Sequence, residues 1–366
     1  MNKATIVVFT SNYMGGILQF TLQLGSTLCS MGYQTVVYVP DNSLLSEIEN
    51  ETANSIIKFR KQKNLGIKSK LSQSIARNIE RLNPGLVLFS DETIVSAQVL
   101  LSLGKHVRTA MYVHDVVEHP GRFSIYEIFK LVFQKNNLKH VFKATDRIIL
   151  LSKNSYALFK SCYPAYADKA IMMPLGAHLP EVKRHRPAEI SDLDQSRYYL
   201  FFGRFGRYKG IIRLLKAYQA ITAEKPLLII AGSGTLEKEE RALIEKDDNV
   251  RLINRYIENA EALYLISNAL TVILPYIEAS QSGVLPIAYS CKVPVVTSNV
   301  AGLIEFVEDG VTGIICSNIE EMTEALKQIT EPYYRDQLGA GAYQFYKEKL
   351  DWGTNLINCI EPLIKQ

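Results

Sequence analysis

Residues 198–218 read YYLFFGRFGRYKGIIRLLKAY. The first five are apolar or aromatic, a run of the length and type of a buried strand. Gly203 ends it, the following loop carries Arg204, Arg207 and Lys209, and Gly210 opens a segment in which Ile211, Leu214 and Leu215 share one helical face. A strand, a cation-bearing turn and an amphipathic helix make half of a βαβ unit, so the stretch predicts a parallel sheet covered by helices. Cations fixed beside a helix N-terminus also suit a diphosphate, whose charge grows as it departs. The alternative is a solvated basic loop with a glycine turn, because short glycine-plus-basic motifs arise by chance.

The alternation extends both ways from this stretch. Short apolar runs recur at 227–231, 250–253, 270–274, 293–297 and 312–316, and earlier at 6–9, 35–39, 86–89, 110–113 and 148–151. After the first of these, Ile17, Leu24, Leu28 and Met31 fall at helical spacing and Gly32 follows as a stop. Two sets of five or more strands alternating with helices predict an α/β protein of two doubly wound, Rossmann-like parallel sheets rather than one very wide sheet. Residues 180–196, PEVKRHRPAEISDLDQS, are charged, hold two prolines and lack an apolar period, which marks a linker. The expected organisation is one domain over 1–180, a linker over 181–196, a second domain over 197–345, and a helical segment over 346–366 that packs back on the first. The 366 residues leave each domain enough chain to bury a core.

Ligands of open α/β sheets bind beyond the carboxyl ends of the strands, so two facing sheets place the site in the cleft between them. Two further strand ends stand out. Residues 227–234, LLIIAGSG, run into a turn whose glycines let backbone approach a ligand, although such glycines are also routine at strand-to-helix turns. Residues 275–283, PYIEASQSG, put Ser280, Gln281, Ser282 and Gly283 before a helix. Unpaired amides and hydroxyls there suit a phosphate; an ordinary N-cap would need only one of those hydroxyls.

Composition bounds the partners. With 47% hydrophobic and 21% charged residues the chain is neither disordered nor fibrous. A formal charge of +4 indicates no nucleic-acid partner. Residues 1–180, however, carry 20 Lys and Arg against 12 Asp and Glu, whereas the remainder carries 21 against 25. Cys29, Cys162, Cys291, Cys316 and Cys359 are scattered and never spaced as CxxC, which predicts buried thiols rather than a disulfide framework or a zinc site. The first apolar run is too short for a signal-peptide core, and no stretch reaches the roughly 18–20 apolar residues of a membrane span. The expectation is a cytoplasmic protein.

The order of motifs resembles the retaining GT-B glycosyltransferases of family 4. The likeness is carried by GRFGRYKGIIRLLKAY, IIAGSG, the Pro-led segment before VPVVTSNVAGLIEFVEDGVTG and the closing Trp352 helix. Gly15-Gly16, His114-Asp115 and PLG at 174–176 add to it. The resemblance implies two Rossmann-like domains facing each other across a cleft. It assigns Arg204 and Lys209 to the donor diphosphate, Gly15 and Gly16 to the loop bordering donor phosphates and acceptor, and His114 to the neighbourhood of the transferred sugar. Catalytic roles therefore fall on His114, Arg204 and Lys209. Donor binding falls on Gly15, Gly16, Gly203, Gly234, Tyr256, Glu278, Ser280, Gln281, Ser282 and Gly283, with base contacts around residues 254–257. Gly302 and Glu305 match the family's Gly-x-x-Glu, with Glu305 as a cap or turn-holding residue. The family's paired glutamates are absent: the second falls on Ile287 and the first on Ala279, with Glu278 one position away.

The activity that the resemblance implies is transfer of a sugar from a nucleotide-diphosphate sugar with retention, without cofactor or bound metal. Lys58, Arg60, Lys61, Lys63, Lys68 and Lys70, and the lysine-rich apolar segment 124–143, suit an anionic membrane surface or a solvated helix face equally. Membrane contact would imply a glycan or polyprenyl-diphosphate-linked acceptor and a place in bacterial surface-polysaccharide synthesis. His119 is then a candidate for an acceptor loop and His178 for a cap on the linker. Rival readings are a nucleotide-sugar-binding pseudoenzyme or partner subunit and a sugar-nucleotide epimerase. A dinucleotide-dependent oxidoreductase is disfavoured because TSNYMGG after the first strand lacks G-x-G-x-x-G.

Overall fold

The computed structural model describes residues 3–12, 16–41, 55–60, 69–116, 138–177, 183–193 and 198–365. Gly15, Lys61, Lys63, Lys68, His119, His178, residues 124–137 and linker residues 180–182 and 194–196 lie outside the described residues. Two compact units divide the chain, one comprising Met1–Pro174 with Gly353–Gln366 and the other Leu175–Trp352.

The first unit is built on seven parallel strands: β1 Thr5–Phe9, β2 Gln34–Pro40, β3 Ser55–Phe59, β4 Leu86–Phe89, β5 Thr109–Val113, β6 Arg147–Leu150 and β7 Ala170–Met172, in the order β3-β2-β1-β4-β5-β6-β7. Ile6, Val7, Val8 and Phe9 are fully buried, as strands covered on both faces must be. From Gly353 onward the final helix, Trp352–Lys365, also belongs to this unit. Leu356, Ile360 and Leu363 are buried along it, and Arg108 Nη1 caps its end by donating to the carbonyls of Leu363 and Ile364 at 3.2 and 3.0 Å.

The second unit has six parallel strands: β8 Tyr198–Phe202, β9 Leu228–Gly232, β10 Val250–Asn254, β11 Ala269–Leu274, β12 Val295–Ser298 and β13 Gly313–Cys316, ordered β10-β9-β8-β11-β12-β13. Both sheets are doubly wound, as the apolar alternation predicts. Each reverses its strand order at one point, between β1 and β4 in the first and between β8 and β11 in the second, and such switch points are where ligands of open sheets bind.

Two strands escape the apolar periodicity. β3 is an edge strand on which only Phe59 is buried and Lys58 is exposed, a charge that discourages pairing with another chain. β7 is a three-residue strand at the opposite edge. The cysteines are all free, but only Cys316 and Cys359 are buried; Cys162 is exposed and the other two are half-buried, which corrects the expectation of uniformly buried thiols. Among the described residues no helix is long and apolar enough to cross a membrane.

Candidate functional site

At the β8/β11 switch point two loops are bound backbone to backbone. The loop after β8 leaves through Gly203 (φ 137°), carries Arg204, Arg207 and Lys209, and enters the helix Ile211–Gln219 at Gly210 (φ 66°). Ile277, in the loop after β11, donates its N–H to the Tyr208 carbonyl at 2.8 Å. A Cβ on Gly210 would lie 2.0 Å from the Pro275 carbonyl oxygen, so the join tolerates only glycine. The loop after β9 closes the other side: Phe205 N–H donates to the Ser233 carbonyl at 2.8 Å, and a Cβ on Gly234 would meet the Phe205 carbonyl oxygen at 2.6 Å. The fold itself therefore requires Gly234, which the sequence marks as a ligand-facing glycine.

Arg204 is exposed and Lys209 half-buried, and neither has an acidic partner among the described residues. Lys209 Nζ stands 3.6 Å from the ring centroid of Tyr276 and 5.1 Å from that of Tyr208. Aromatic faces hold an ammonium in place without neutralising it. Tyr276 is fully buried and its hydroxyl has no hydrogen-bond partner; the same is true of the buried atoms Gln281 Oε1, Ser282 Oγ and Ser298 Oγ. Ser298 ends β12, the neighbour of β11, and the loop at Ala279 and Ser280 rests on Gly302, where a Cβ would lie 2.2 Å from the Ala279 carbonyl oxygen. Burial strips a polar atom of its water, so orphaned ones are rare. The three hydroxyls, beside cations without counter-charges among the described residues, suit a polar anion, and Gln281 Oε1, which only accepts, suits a hydroxyl of the same ligand.

The ordinary N-cap reading of Ser280–Gln281–Ser282 does not apply. The helix Val284–Ser290 starts from Gly283 in right-handed helical conformation with no side-chain cap. Glu278 is half-buried in the same loop, and Glu305 stands where the short helix Ala301–Ile304 ends.

Tyr256, 43% exposed, lies in the loop after β10, which Arg255 pins. Its guanidinium donates to Glu189 at 2.7 and 2.9 Å, to Glu261 at 2.7 Å through two nitrogens, and to the Tyr256 carbonyl at 3.0 Å. Hydrogen bonds from Arg255 hold the Glu189 carboxyl down to about 2 and that of Glu261 below the usual carboxylate range. Carboxyls with depressed pKa stabilise the fold above their unfolded value near 4.5 and lose that contribution as pH falls towards 2. Glu189→Gln is expected to lower the Tm at pH 7 by about 1–3 °C, the pair being partly exposed, and to weaken the acid dependence of Tm below that unfolded value. Calorimetry showing a wild-type Tm and acid profile would deny the pair any energetic role.

At the β1/β4 switch point Asp91, 1% exposed, ties the loop after β1 to the loop after β4. It accepts from Thr10 Oγ1 at 2.5 Å, Ser11 N–H and Asn12 Nδ2 at 2.9 Å, Thr93 Oγ1 at 2.8 Å, and Ser96 Oγ. His114, one residue past β5, is buried with its Nε2 2.8 Å from the Ser90 carbonyl oxygen. A carbonyl only accepts, so Nε2 carries the proton and Nδ1 is the bare nitrogen of the neutral ring. Burial lowers the His114 pKa, which keeps the ring neutral at pH 7. Glu92 follows Asp91, and its Oε2 is buried without a partner. Burial first, then the charges of Asp91 and Asp115, push its carboxyl up to about 8. Neither Asp91 nor Glu92 is singled out by the sequence reading, although SDET directly after the buried strand LVLF is a usable signal. Gly16 opens the helix Gly16–Ser30 with nothing within 4 Å of its Cβ position.

The family described as Glycosyltransferase Family 4 matches residues 14–179, and Glycosyl transferases group 1 matches residues 196–331. The chain belongs to the glycosyltransferases. Glycogen synthase of Mycobacterium tuberculosis is 27% identical over 195 residues, covering 50% of this chain and 44% of that protein, so the chain spans under half the length of this relative. Two solved structures share the fold along the whole chain. A glycosyltransferase from Rickettsia africae has a TM-score of 0.74 at 15% identity, covering 100% of this chain and 99% of that one. HepE of Anabaena, solved with UDP-glucose, has a TM-score of 0.76 at 16% identity, covering 99% and 100%. The glycosyltransferase is thus of the GT-B kind, with two parallel-sheet α/β domains. Its polar side chains stand at both switch points: cations without an acidic partner among the described residues in the second unit, and a buried acid and imidazole in the first.

Proposed function

We propose that this glycosyltransferase moves a hexose-type sugar from a nucleotide-diphosphate donor to a glycan or polyprenyl-diphosphate-linked acceptor, with retention and without needing a metal ion. The observation that carries the reading is the pairing of Arg204 and Lys209, free of acidic partners among the described residues, with four orphaned buried polar atoms beside the β8/β11 switch point. As the sugar–phosphate bond breaks, negative charge grows on the departing diphosphate, and fixed cations bind that state more tightly than the ground state. Arg204 and Lys209 would supply the positive charge that a divalent ion supplies elsewhere. Tyr276, Gln281, Ser282 and Ser298 would orient phosphate or sugar oxygens, so that donor and acceptor meet in one geometry. HepE, solved with UDP-glucose, and the glycogen synthase support a hexose donor and a glycan acceptor.

The excess of basic residues in the first half supports an acceptor that is itself a phosphate or lies on an anionic leaflet, where each Lys or Arg contributes about 1 kcal/mol. On this reading the protein works in the cytoplasm, peripheral on the inner face of the membrane, in surface-polysaccharide assembly. A second reading, donor binding without transfer, is favoured by one observation: the positions of the resembling family's paired glutamates hold Ala279 and Ile287 here.

Isothermal titration with uridine, guanosine, adenosine and thymidine diphospho-sugars tests the donor site. For the donor that binds, Arg204→Ala is expected to raise Kd about 10–100-fold, the loss of one charge-assisted contact. An unchanged Kd would remove Arg204 from the site. Binding without turnover, across a broad acceptor set, would select the second reading.

A further inference from the structure

The β1/β4 switch point holds a carboxyl group that finds no complete set of partners among the described residues. Glu92 faces two backbone N–H groups, its own and that of His114, yet its Oε2 is buried with no hydrogen bond. Oε2 is therefore either a buried bare oxyanion or an O–H. The surrounding groups decide between them. Asp91 and Asp115 present negative charge, and among the described residues the carboxyl makes no ion pair with a cation. His114, on the neighbouring strand end, is held neutral by its own burial. Asp91 already accepts from Thr10, Ser11, Asn12, Thr93 and Ser96, so it has little capacity left to take a hydrogen bond from Glu92. Desolvation and like charge both favour the neutral acid, and together they lift its pKa to about 8.

We propose that Glu92 works as a neutral carboxylic acid whose Oε2–H donates a hydrogen bond to a hydroxyl oxygen of the sugar bound at the β1/β4 switch point. The proposal rests on the glycosyltransfer reading and extends it, because the hydroxyl belongs either to the donor sugar or to the acceptor. A carboxylate could only accept from that hydroxyl. The neutral acid donates to it, and loses that capacity once it ionises.

Two variants separate these states. Glu92→Gln keeps a donor and an acceptor on the same frame without an ionisable proton, whereas Glu92→Ala removes both. With UDP-glucose as probe, wild-type kcat/KM is expected to fall about tenfold per pH unit above the carboxyl's pKa. Glu92→Gln should keep about a tenth or more of neutral-pH activity and lose that alkaline fall, while Glu92→Ala should lose about 100-fold. A Gln variant as poor as the Ala variant, or a flat wild-type alkaline profile, overturns the proposal.

Carbon-13 NMR of labelled glutamate in the free protein, assigned with Glu92→Gln, reads the proton directly. A midpoint near 8 supports the neutral acid; one near 4.5 overturns it whatever the substrate. Failure to bind UDP-glucose would instead strike at the donor reading, leaving the NMR midpoint to decide the protonation state. Two results for Glu92→Ala both support the proposal and locate the hydroxyl. Weaker binding and hydrolysis of UDP-glucose places it on the donor, and loss of transfer alone, with donor hydrolysis kept, places it on the acceptor.

Discussion

Lys209→Met is expected to lower the rate of sugar transfer by about 10³-fold, a loss of about 4 kcal/mol of transition-state stabilisation. Methionine keeps an apolar stem that can lie on Tyr276 and removes only the charge. The ammonium is 3.6 Å from that ring centroid and has no acidic partner among the described residues, so no carboxylate of those residues compensates its charge. A cation of this kind acts most on charge that develops during the reaction. The Kd for the ground-state donor should therefore rise less than kcat falls, by about tenfold. The fold should be nearly untouched, with Tm within about 2 °C of wild type, because the side chain lies over two aromatic rings and makes no hydrogen bond or ion pair among the described residues. Steady-state kinetics with the donor selected by titration, together with a melting curve, checks both halves. A kcat within tenfold of wild type, at unchanged Tm, would show that the diphosphate leaves without help from Lys209.

The contrast between what was and was not legible in the sequence comes from how far each feature depends on distant neighbours. The buried strands of both sheets read directly from their apolar runs because helices cover both faces. β3, SIIKF, reads instead as part of a basic run, since an edge strand has one side free and only Phe59 turned inward. The loop of Arg204 and Lys209 is legible because its strand, cations and helix are contiguous. Its seat is not: Tyr276 lies far along the chain and meets Lys209 only once β8 and β11 are neighbours. Asp91 is held by Thr10, 81 residues away, and Glu92 owes its raised pKa to burial and to Asp115 as well as to its neighbour Asp91. Such chemistry has no local sequence period to report it. Gly234 shows a different limit, since the sequence does not reveal that its lack of a side chain is also needed against Phe205 until the strand ends are paired.

Gly232→Ala is expected to destabilise the second unit by about 4 kcal/mol or more, enough to leave much of it unfolded. Gly232 ends β9 with φ 148°, where a side chain is strained wherever it points. A Cβ there would lie 1.8 Å from the Gly203 carbonyl oxygen and 2.7 Å from the carbonyl carbon. Both obstructing atoms are backbone, so no flexible side chain can swing aside. Relief would require the ends of β8 and β9 to part, breaking the Gly203 N–H bond to Ala231 and the Phe205 N–H bond to Ser233. Those bonds also position Arg204, so any folded remainder should bind donor poorly. Two controls separate strain from clash. Gly203→Ala meets nothing within 4 Å but has φ 137°, and should lose only the conformational part, about 1–2 kcal/mol. Gly16→Ala also meets nothing, lies at a helix start, and should be near neutral or slightly stabilising. Urea unfolding of the three variants should rank them in that order. Equal midpoints for Gly232→Ala and Gly16→Ala would mean that the strand ends yield easily, and the rigidity ascribed to the cation loop would fall with them.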